Sequence, residues 1–320
     1  PRRKHGSSFV AGQAQYADVN GDGKADLIMQ GNDNSFYLSL STGTGFAAPI
    51  LAAKHGGSFV AGQAQYRDVN GDGKSDLIME GSDNLFWVSQ STGSGFDGAN
   101  FAMKHGASFV RGQAQYGDMN GDGKADLIFQ TTDNIFYVST ADAATPGLKP
   151  ATQVLQQSGT FARGQVRYAD VNGDGKADVV YQDNSNRFWL SLSDGSAFSS
   201  FTPASQQTGS FAAGQAQYAD VNGDGKADLI FQGNDNSFKL SLANGSGFDA
   251  SVTVAQQSGS FAEGQAQYAD VNGDGKFDLI FQARNTVSSC RCRMEVGSMP
   301  RYQCCNRAAT LSAGRHNMPM

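Results

Sequence analysis

Along residues 9–53, FVAGQAQYADVNGDGKADLIMQGNDNSFYLSLSTGTGFAAPILAA, apolar and polar positions trade places in short bursts. Four of these bursts predict β-strands. QAQYADV alternates, and ADLIMQ is short and apolar. SFYLSLS alternates strictly, with Phe36, Leu38 and Leu40 on one face and Tyr37 and Ser39 on the other. FAAPILAA carries Pro49, which suits an outer edge strand. The turn sequences NGDG, GNDN and STGTG separate the four. No segment sustains a 3.6-residue period, so no helix is expected.

The pattern then repeats. ADVNGDGKADLI at 17–28 returns as near-copies at 67–78, 117–128, 169–180, 219–230 and 269–280. The first aspartates, Asp18, Asp68, Asp118, Asp170, Asp220 and Asp270, follow one another at intervals of 50, 50, 52, 50 and 50 residues. A fixed period of this size marks a propeller or a solenoid, in which each repeat is one supersecondary unit. Four short antiparallel strands per repeat make the blade of a β-propeller. A parallel β-helix with Gly-Asp calcium turns would need a much shorter period. The expected fold is therefore all-β, a β-propeller of four-stranded antiparallel blades, one array over residues 1–282. The 320 residues are ample for a large buried core.

The repeated dodecamer reads Asp-x-Asn-x-Asp-Gly-x-x-Asp. Oxygen donors at positions 1, 3 and 5 with Gly at 6 match the opening of an EF-hand loop, and the Gly permits the sharp turn that lets donors converge. All side-chain donors are hard oxygens with no His or Cys beside them, which favours Ca²⁺ over Zn²⁺. Position 7 is Lys, which can give only its carbonyl; its ammonium is expected to point away. Position 12 is never the EF-hand Glu, and position 9 is Asp in every copy. The candidate ligands are Asp18, Asn20, Asp22, Lys24 and Asp26 in the first loop and Asp68, Asn70, Asp72, Lys74 and Asp76 in the second. They are Asp118, Asn120, Asp122, Lys124 and Asp126 in the third, and Asp170, Asn172, Asp174, Lys176 and Asp178 in the fourth. Asp220, Asn222, Asp224, Lys226 and Asp228 form the fifth set, and Asp270, Asn272, Asp274, Lys276 and Asp278 the sixth. The alternative is a plain tight turn, but such a turn does not need three carboxylates spaced four apart, whose repulsion a cation relieves. About one Ca²⁺ per repeat is expected, each an independent clip for its blade.

Charge changes the picture in one respect. The formal charge is −6, and six bound Ca²⁺ would carry it to +6. The acidic balance thus reports metal loops, and it argues against a nucleic-acid partner. No apolar run is long enough to span a bilayer, so no membrane insertion is expected. The chain opens PRRKHGSSFV, already inside a repeat, with no secretory signal in view. The oligomeric state is not legible.

These residues resemble the FG-GAP/VCBS repeats of integrin-α-like propellers and of many secreted bacterial proteins. Gly45-Phe46, Gly95-Phe96 and Gly247-Phe248 look like that family's FG element, with the acidic loop beside it. The resemblance covers about residues 5–282. It implies a secreted, seven-bladed propeller used for adhesion or ligand binding. The layout is also similar to fungal Psathyrella-type seven-bladed propeller lectins, although FVAGQAQY stands where those lectins carry a Trp.

Tyr37, Trp87, Tyr137 and Trp189 share one strand position, with Lys239 in the fifth repeat. They either pack against the neighbouring blade or offer a sugar-stacking surface. His5, His55 and His105 recur in KHGxSF and read as inter-blade linkers. Gln13, Gln63, Gln113, Gln165, Gln215 and Gln265 bond between blades or meet a ligand. Asn244-Gly245-Ser246 is a lone glycosylation sequon or simply a turn. No nucleophile elbow, zinc-protease helix or P-loop occurs, so a non-enzymatic binding module is expected. A multivalent carbohydrate-binding protein comes first. A structural or adhesive protein-binding module of a larger secreted or toxin-like protein comes second, and a propeller attached to an enzyme third.

After Gln282 the repeat stops. All four cysteines, Cys290, Cys292, Cys304 and Cys305, fall in residues 283–320. Taking the third base of each codon with the first two of the next, Ser288 to Pro300 can spell FVSLSNGSGFDA, against SLANGSGFDA at 241–250. Thr310 to Met320 can spell FVRGQAQYAD, against FVRGQAQYGD at 109–118. The tail is expected to be a frameshift product with no fold of its own, from a gene encoding a seventh repeat. A chain lacking its closing blade is expected to be open, partly unfolded at its ends, or oligomeric.

Overall fold

The computed structural model describes residues 9–31, 33–56, 64–81, 85–104, 114–131, 135–142, 147–156, 166–183, 185–207, 216–233, 237–256 and 261–283. Blade 1 is β1 (Phe9–Ala17), β2 (Asp26–Gly31), β3 (Ser35–Ser39) and β4 (Ile50–Lys54), antiparallel in that order. Blade 2 repeats it with β5 (Gln65–Arg67), β6 (Asp76–Glu80), β7 (Leu85–Ser89) and β8 (Asn100–Lys104). Blade 3 has β9 (Gln115–Gly117), β10 (Asp126–Gln130) and β11 (Ile135–Ser139). A two-stranded ribbon, β12 (Ala141–Asp142) and β13 (Gly147–Leu148), then leads to its outer strand β14 (Thr152–Gln156). Blade 4 is β15 (Val166–Ala169), β16 (Asp178–Gln182), β17 (Arg187–Ser191) and β18 (Thr202–Gln206). Blade 5 is β19 (Gln217–Ala219), β20 (Asp228–Gln232), β21 (Ser237–Ser241) and β22 (Val252–Gln256). β23 (Phe261–Ala269) and β24 (Asp278–Ala283) pair as a hairpin at the sixth position.

The strands form where alternation demanded them, with two differences. The inner strand stops at Ala17, because Asp18 and Val19 already belong to the loop. The outer strand starts only at Ile50, just after Pro49; Phe46 instead makes a bridge back to Ser41.

The core lies between blades. Phe36, Phe86, Phe136, Phe188 and Phe238, one per blade, are 0% exposed. Ile28, Phe36 and Leu38 of blade 1 pack on Tyr66, Leu77, Met79 and Phe96 of blade 2. Each such side chain taken out of water contributes about 1.5–3 kcal/mol, so each blade draws much of its stabilisation from its neighbour.

Backbone bonds tie the blades at one end of the ring. Ser75 N donates to Asp18 O at 2.7 Å, Ala125 N to Asp68 O at 2.8 Å and Ala177 N to Asp118 O at 2.7 Å. Ala227 N donates to Asp170 O at 2.6 Å and Phe277 N to Asp220 O at 3.3 Å. Ala25 N then donates to Asp270 O at 2.7 Å and closes the circle. Tyr16, Ala25 and Phe46 pack on Ala269 and Val271 at the same junction. Of the three states expected of a chain lacking its closing blade, the open ring is not the one found: β1 meets β23, because every inner hairpin carries the same donor and acceptor.

Inner strands have one unpaired edge, where free carbonyls need donors. Gln15 Nε2 donates to Ala64 O at 2.7 Å, Gln65 to Ala114 O at 2.6 Å and Gln115 to Val166 O at 2.7 Å. These glutamines stitch successive inner strands.

Candidate metal loops and inter-blade grooves

Each acidic loop joins a blade's inner strand to its second strand. In the first, Gly21 and Gly23 take φ of 77° and 79°, a left-handed turn open to glycine. That turn aims backbone N–H groups inward. Asp18 Oδ1 accepts from Gly21 N at 2.7 Å and Asp22 N at 3.2 Å, and Oδ2 from Gly23 N at 2.8 Å. Asn20 Oδ1 accepts from Asp22 N at 3.0 Å, and Asp22 Oδ1 from Lys24 N at 3.0 Å. The same set recurs around Asp68, Asp118, Asp170, Asp220 and Asp270.

The position-9 aspartates do something different. Asp26 is 0% exposed and lies beneath the loop, Oδ2 accepting from Val19 N at 3.0 Å and Oδ1 from Ser41 N at 2.7 Å. It thereby ties the loop to the end of the third strand. Asp76, Asp126, Asp178 and Asp228 make the same two bonds. Asp278 accepts from Val271 N at 3.2 Å and Asn272 Nδ2 at 3.3 Å. Burial pushes the pKa of Asp76, Asp126, Asp178 and Asp228 up to about 6, with the two loop aspartates above each adding to the rise.

The lysine does not point away. Lys24 Nζ sits 3.2 Å from Asp22 Oδ2, and Lys74, Lys176 and Lys226 repeat the pair at 3.2, 3.1 and 3.4 Å. The ammonium is drawn back by the carboxylate two residues before it, which is the opposite charge within reach of its stem. Burial is the largest single influence on Asp22 and raises its pKa, but hydrogen bonds from the Lys24 ammonium and N–H and from Asn20 together outweigh it and hold the carboxyl below the usual carboxylate range. The lysine stem reaches further. A Cβ on Gly21 would lie 3.3 Å from Lys74 Cγ, one on Gly71 3.3 Å from Lys124 Cγ, and one on Gly273 3.2 Å from Lys24 Cγ. Each loop thus lies under the lysine of the next, so the six touch one another around the ring.

The loop brings positions 1, 3 and 5 together and sets position 9 apart below. Among the described residues no three carboxylates converge on one point as they stand. The donor chemistry nonetheless fits a hard cation: carboxylates at 1 and 5, an amide oxygen at 3 and the Lys24 carbonyl belong to one turn, with one ammonium beside the position-5 carboxylate.

The second candidate region is the groove between blades. Tyr37, Trp87, Tyr137 and Trp189 are all half-buried, and the last three pack where their blade meets the preceding one. Trp87 meets Phe101 of the outer strand edge-on, ring centroids 5.9 Å apart, and Phe101 is 53% exposed. Tyr137 stacks on Phe129 at 5.5 Å and Trp189 on Tyr181 at 6.1 Å. Trp189 Nε1 donates to Asp183 Oδ2 at 3.1 Å. These rings both pack and present a face. Phe101 and Asp183 were missed at the level of sequence; strand register puts Phe101 beside Trp87, and a hydrogen bond brings Asp183 to Trp189.

The GF element docks blade on blade. Phe96 N donates to Ala52 O at 3.1 Å and Phe248 N to Ala204 O at 3.0 Å. A Cβ on Gly95 would lie 2.7 Å from Ala52 O, so only glycine permits the approach. His55 follows β4 as a linker, its ring edge-on to Phe36 at 5.8 Å and Nε2 3.3 Å from Ser89 Oγ. Asn244 Oδ1 accepts from Ser246 N at 3.1 Å, the bond of an Asx turn. His5, His105, Gln63, Gln113, Gln165, Gln215, the side chains of Gln13 and Gln265, and residues 284–320 lie outside the described residues.

The FG-GAP-like repeat profile matches residues 18–79, 68–129, 118–181, 170–231 and 220–281, each match running from one acidic loop through the next. The chain belongs to the FG-GAP-like repeat family. No curated protein matches it. Among solved structures, this FG-GAP-like propeller is similar to an Agrocybe aegerita lectin described as recognising non-reducing terminal N-acetylglucosamine. That likeness has TM-score 0.63 and 21% identity over 87% of this chain and 75% of that one. The BP39L lectin of Burkholderia pseudomallei superposes with TM-score 0.58 and 17% identity over 88% and 85%. A chain of the Photorhabdus luminescens Tc holotoxin pore gives TM-score 0.61 and 23% identity over 88% of this chain but 14% of that one. At these identities the likeness is one of fold.

Proposed function

We propose that this FG-GAP-like propeller is a secreted, calcium-stabilised, non-enzymatic binding protein that takes glycans in the grooves between its blades. The observation that carries the glycan reading is the pair Trp87 and Trp189, half-buried at equivalent groove positions, the second anchored to a carboxylate. An aromatic plate beside fixed acceptors is what a pyranose needs, with its C–H face on the ring and its hydroxyls on the polar groups. Repetition offers several such grooves, hence avidity without strong single sites. The two lectins of like fold support the reading, and terminal N-acetylglucosamine is the first probe. A glycan array with and without calcium tests it. Binding is expected, and it should be lost when Trp87 and Trp189 are both replaced by Ala with the circular dichroism unchanged. No glycan bound at high protein concentration would overturn it. The second reading would then stand: a protein-binding module of a larger secreted or toxin-like chain, as the fold likeness to the Tc toxin suggests.

Calcium belongs to the same proposal. Asp18, Asn20, Asp22 and the Lys24 carbonyl would hold the ion, and their counterparts would do so in the other loops. The ion would neutralise the carboxylates of Asp18 and Asp22, of which Asp22 is paired with Lys24, while Asp26 holds the loop from below. Elemental analysis of the purified protein should find close to one Ca²⁺ per loop; none found at millimolar calcium would leave the lysine as the resident cation.

A further inference from the structure

On the side facing the sixth position, blade 1 is less closely covered than the later blades are. In later blades the residues that face the preceding blade are closed in: Leu77, Leu127 and Leu229 are 0% exposed and Met79, Phe129 and Phe231 1% or less. Their blade-1 counterparts, Leu27 and Met29, are half-buried. Phe46 is half-buried too, whereas Phe96, Phe198 and Phe248 are 8%, 7% and 5% exposed. The cover they lack has a known shape. Where a blade is complete, the third strand supplies it, as Phe36 and Leu38 cover Leu77 and Met79. At the sixth position, among the described residues, β24 is the last strand of its sheet, which meets blade 1 through β23 and β1.

The shifted reading frame after Gln282 can spell that strand. Gln282 matches Gln232, and counted on from there the shifted frame runs through positions equivalent to 233–270 without a gap. Most shifted codons leave a choice, but some do not. Met294-Glu295 forces Gly at the Gly245 position, Met299-Pro300 forces Ala at Ala250 and Met318-Pro319 forces Ala at Ala269. Cys305-Asn306 forces Gln at Gln256 and His316-Asn317 forces Gln at Gln267, a stop codon aside. Cys304-Cys305 forces Leu at the Ala255 position, where the third repeat has Leu155. From Thr286 the frame permits SFFVSLSNGSGFDA, with Phe and Val at the positions of Phe238 and Leu240. It also puts Ser where Ser41, Ser91 and Ser193 donate through Oγ to Val271 O, Val19 O and Met119 O of the preceding loops.

We propose that this less covered side of blade 1 forms, with β24, a strand-acceptor site, and that its occupant is the third strand encoded by the shifted frame. That strand pairs antiparallel to β24 and turns its Phe and Val onto Leu27 and Met29. The intact gene supplies it in cis; the present chain can take it in trans. The test is a fluorescently labelled peptide, SFFVSLSNGSGFDA, titrated into the full chain with anisotropy and thermal unfolding as readouts. One saturable site per chain and a raised Tm are expected. The peptide with its Val changed to Asp should bind at least tenfold more weakly, and so should the native peptide on the Met29→Lys chain. The altered peptide leaves the protein's folding untouched, so the proposal does not hang on the variant. No binding, or equal binding of the two peptides, overturns it. A dimer of the chain that excludes the peptide would assign the site to a second copy and overturn the occupant named here. Independent clones that all read 283–320 in the present frame would remove its genetic half.

Discussion

At the scale of single residues, close approach decides more than hydrophobicity does. Gly95 faces the Ala52 carbonyl with no room for a methyl group. Gly95→Ala should therefore lower stability by about 1–3 kcal/mol, measured by urea unfolding, while Gly98→Ala, whose Cβ would meet nothing within 4 Å, should leave that seam intact. Asp76 holds two backbone N–H groups with two oxygens. Asp76→Asn keeps one acceptor and should cost about 1–3 kcal/mol for the stranded donor. His55 makes a pH prediction. Burial lowers its pKa, with Asp97 pulling weakly the other way. The folded state thus prefers the neutral ring, and the unfolded chain binds the proton more readily below about pH 6.5. Stability from this site is complete above that pH and is lost as the pH falls toward the lowered folded value. His55→Gln, the residue found at Gln207, should flatten that part of the stability curve; an unchanged slope would clear His55. The glycine of GF was visible in the sequence as a repeated letter. Its reason was not, because the carbonyl it faces belongs to another repeat.

At the scale of elements, strands and loops were largely legible and their connections were not. Alternation around Phe36 and Leu38 placed the third strand, and Pro49 marked the approach to the outer one. The acidic loop was visible as a turn with carboxylates. Spacing alone, however, gave position 9 the same role as positions 1 and 5. The fold separates them, because a second-strand residue such as Asp26 is pulled beneath the loop by the N–H groups of Val19 and Ser41. The lysine supplies a sharp test. Surface pairs like Lys74 with Asp72 contribute only about 0–1 kcal/mol, but the ammonium competes with any metal for the same oxygen. Lys74→Ala should raise calcium affinity in titration calorimetry, whereas Asp72→Ala should lower it. Without metal, Lys74→Ala should lower the Tm, since its stem also covers Gly21. Equal loss of affinity in both variants would show that the lysine supports the site instead of competing for it.

At the scale of the whole molecule, the loops form one belt. Each position-8 N–H donates to the preceding loop's first aspartate, so loosening one loop loosens its neighbours. Excess chelator should lower the Tm in a single cooperative step, by an amount set by occupancy: about 2.7 kcal/mol for each site held at a hundred times its dissociation constant. Six separate transitions would point to blades that unfold alone. The period of the repeat announced the ring, but not that it closes on six hairpins, since a chain carries no symbol for where its ends meet. That has a consequence for how such molecules change over time. The junction between last and first is made by the same amide and the same carbonyl as every other, so no residue records how many sectors the circle holds. Unequal recombination between near-identical gene segments can add or delete a sector and leave every seam chemically the same. The circumference is then a property of copy number, open to selection in whole steps.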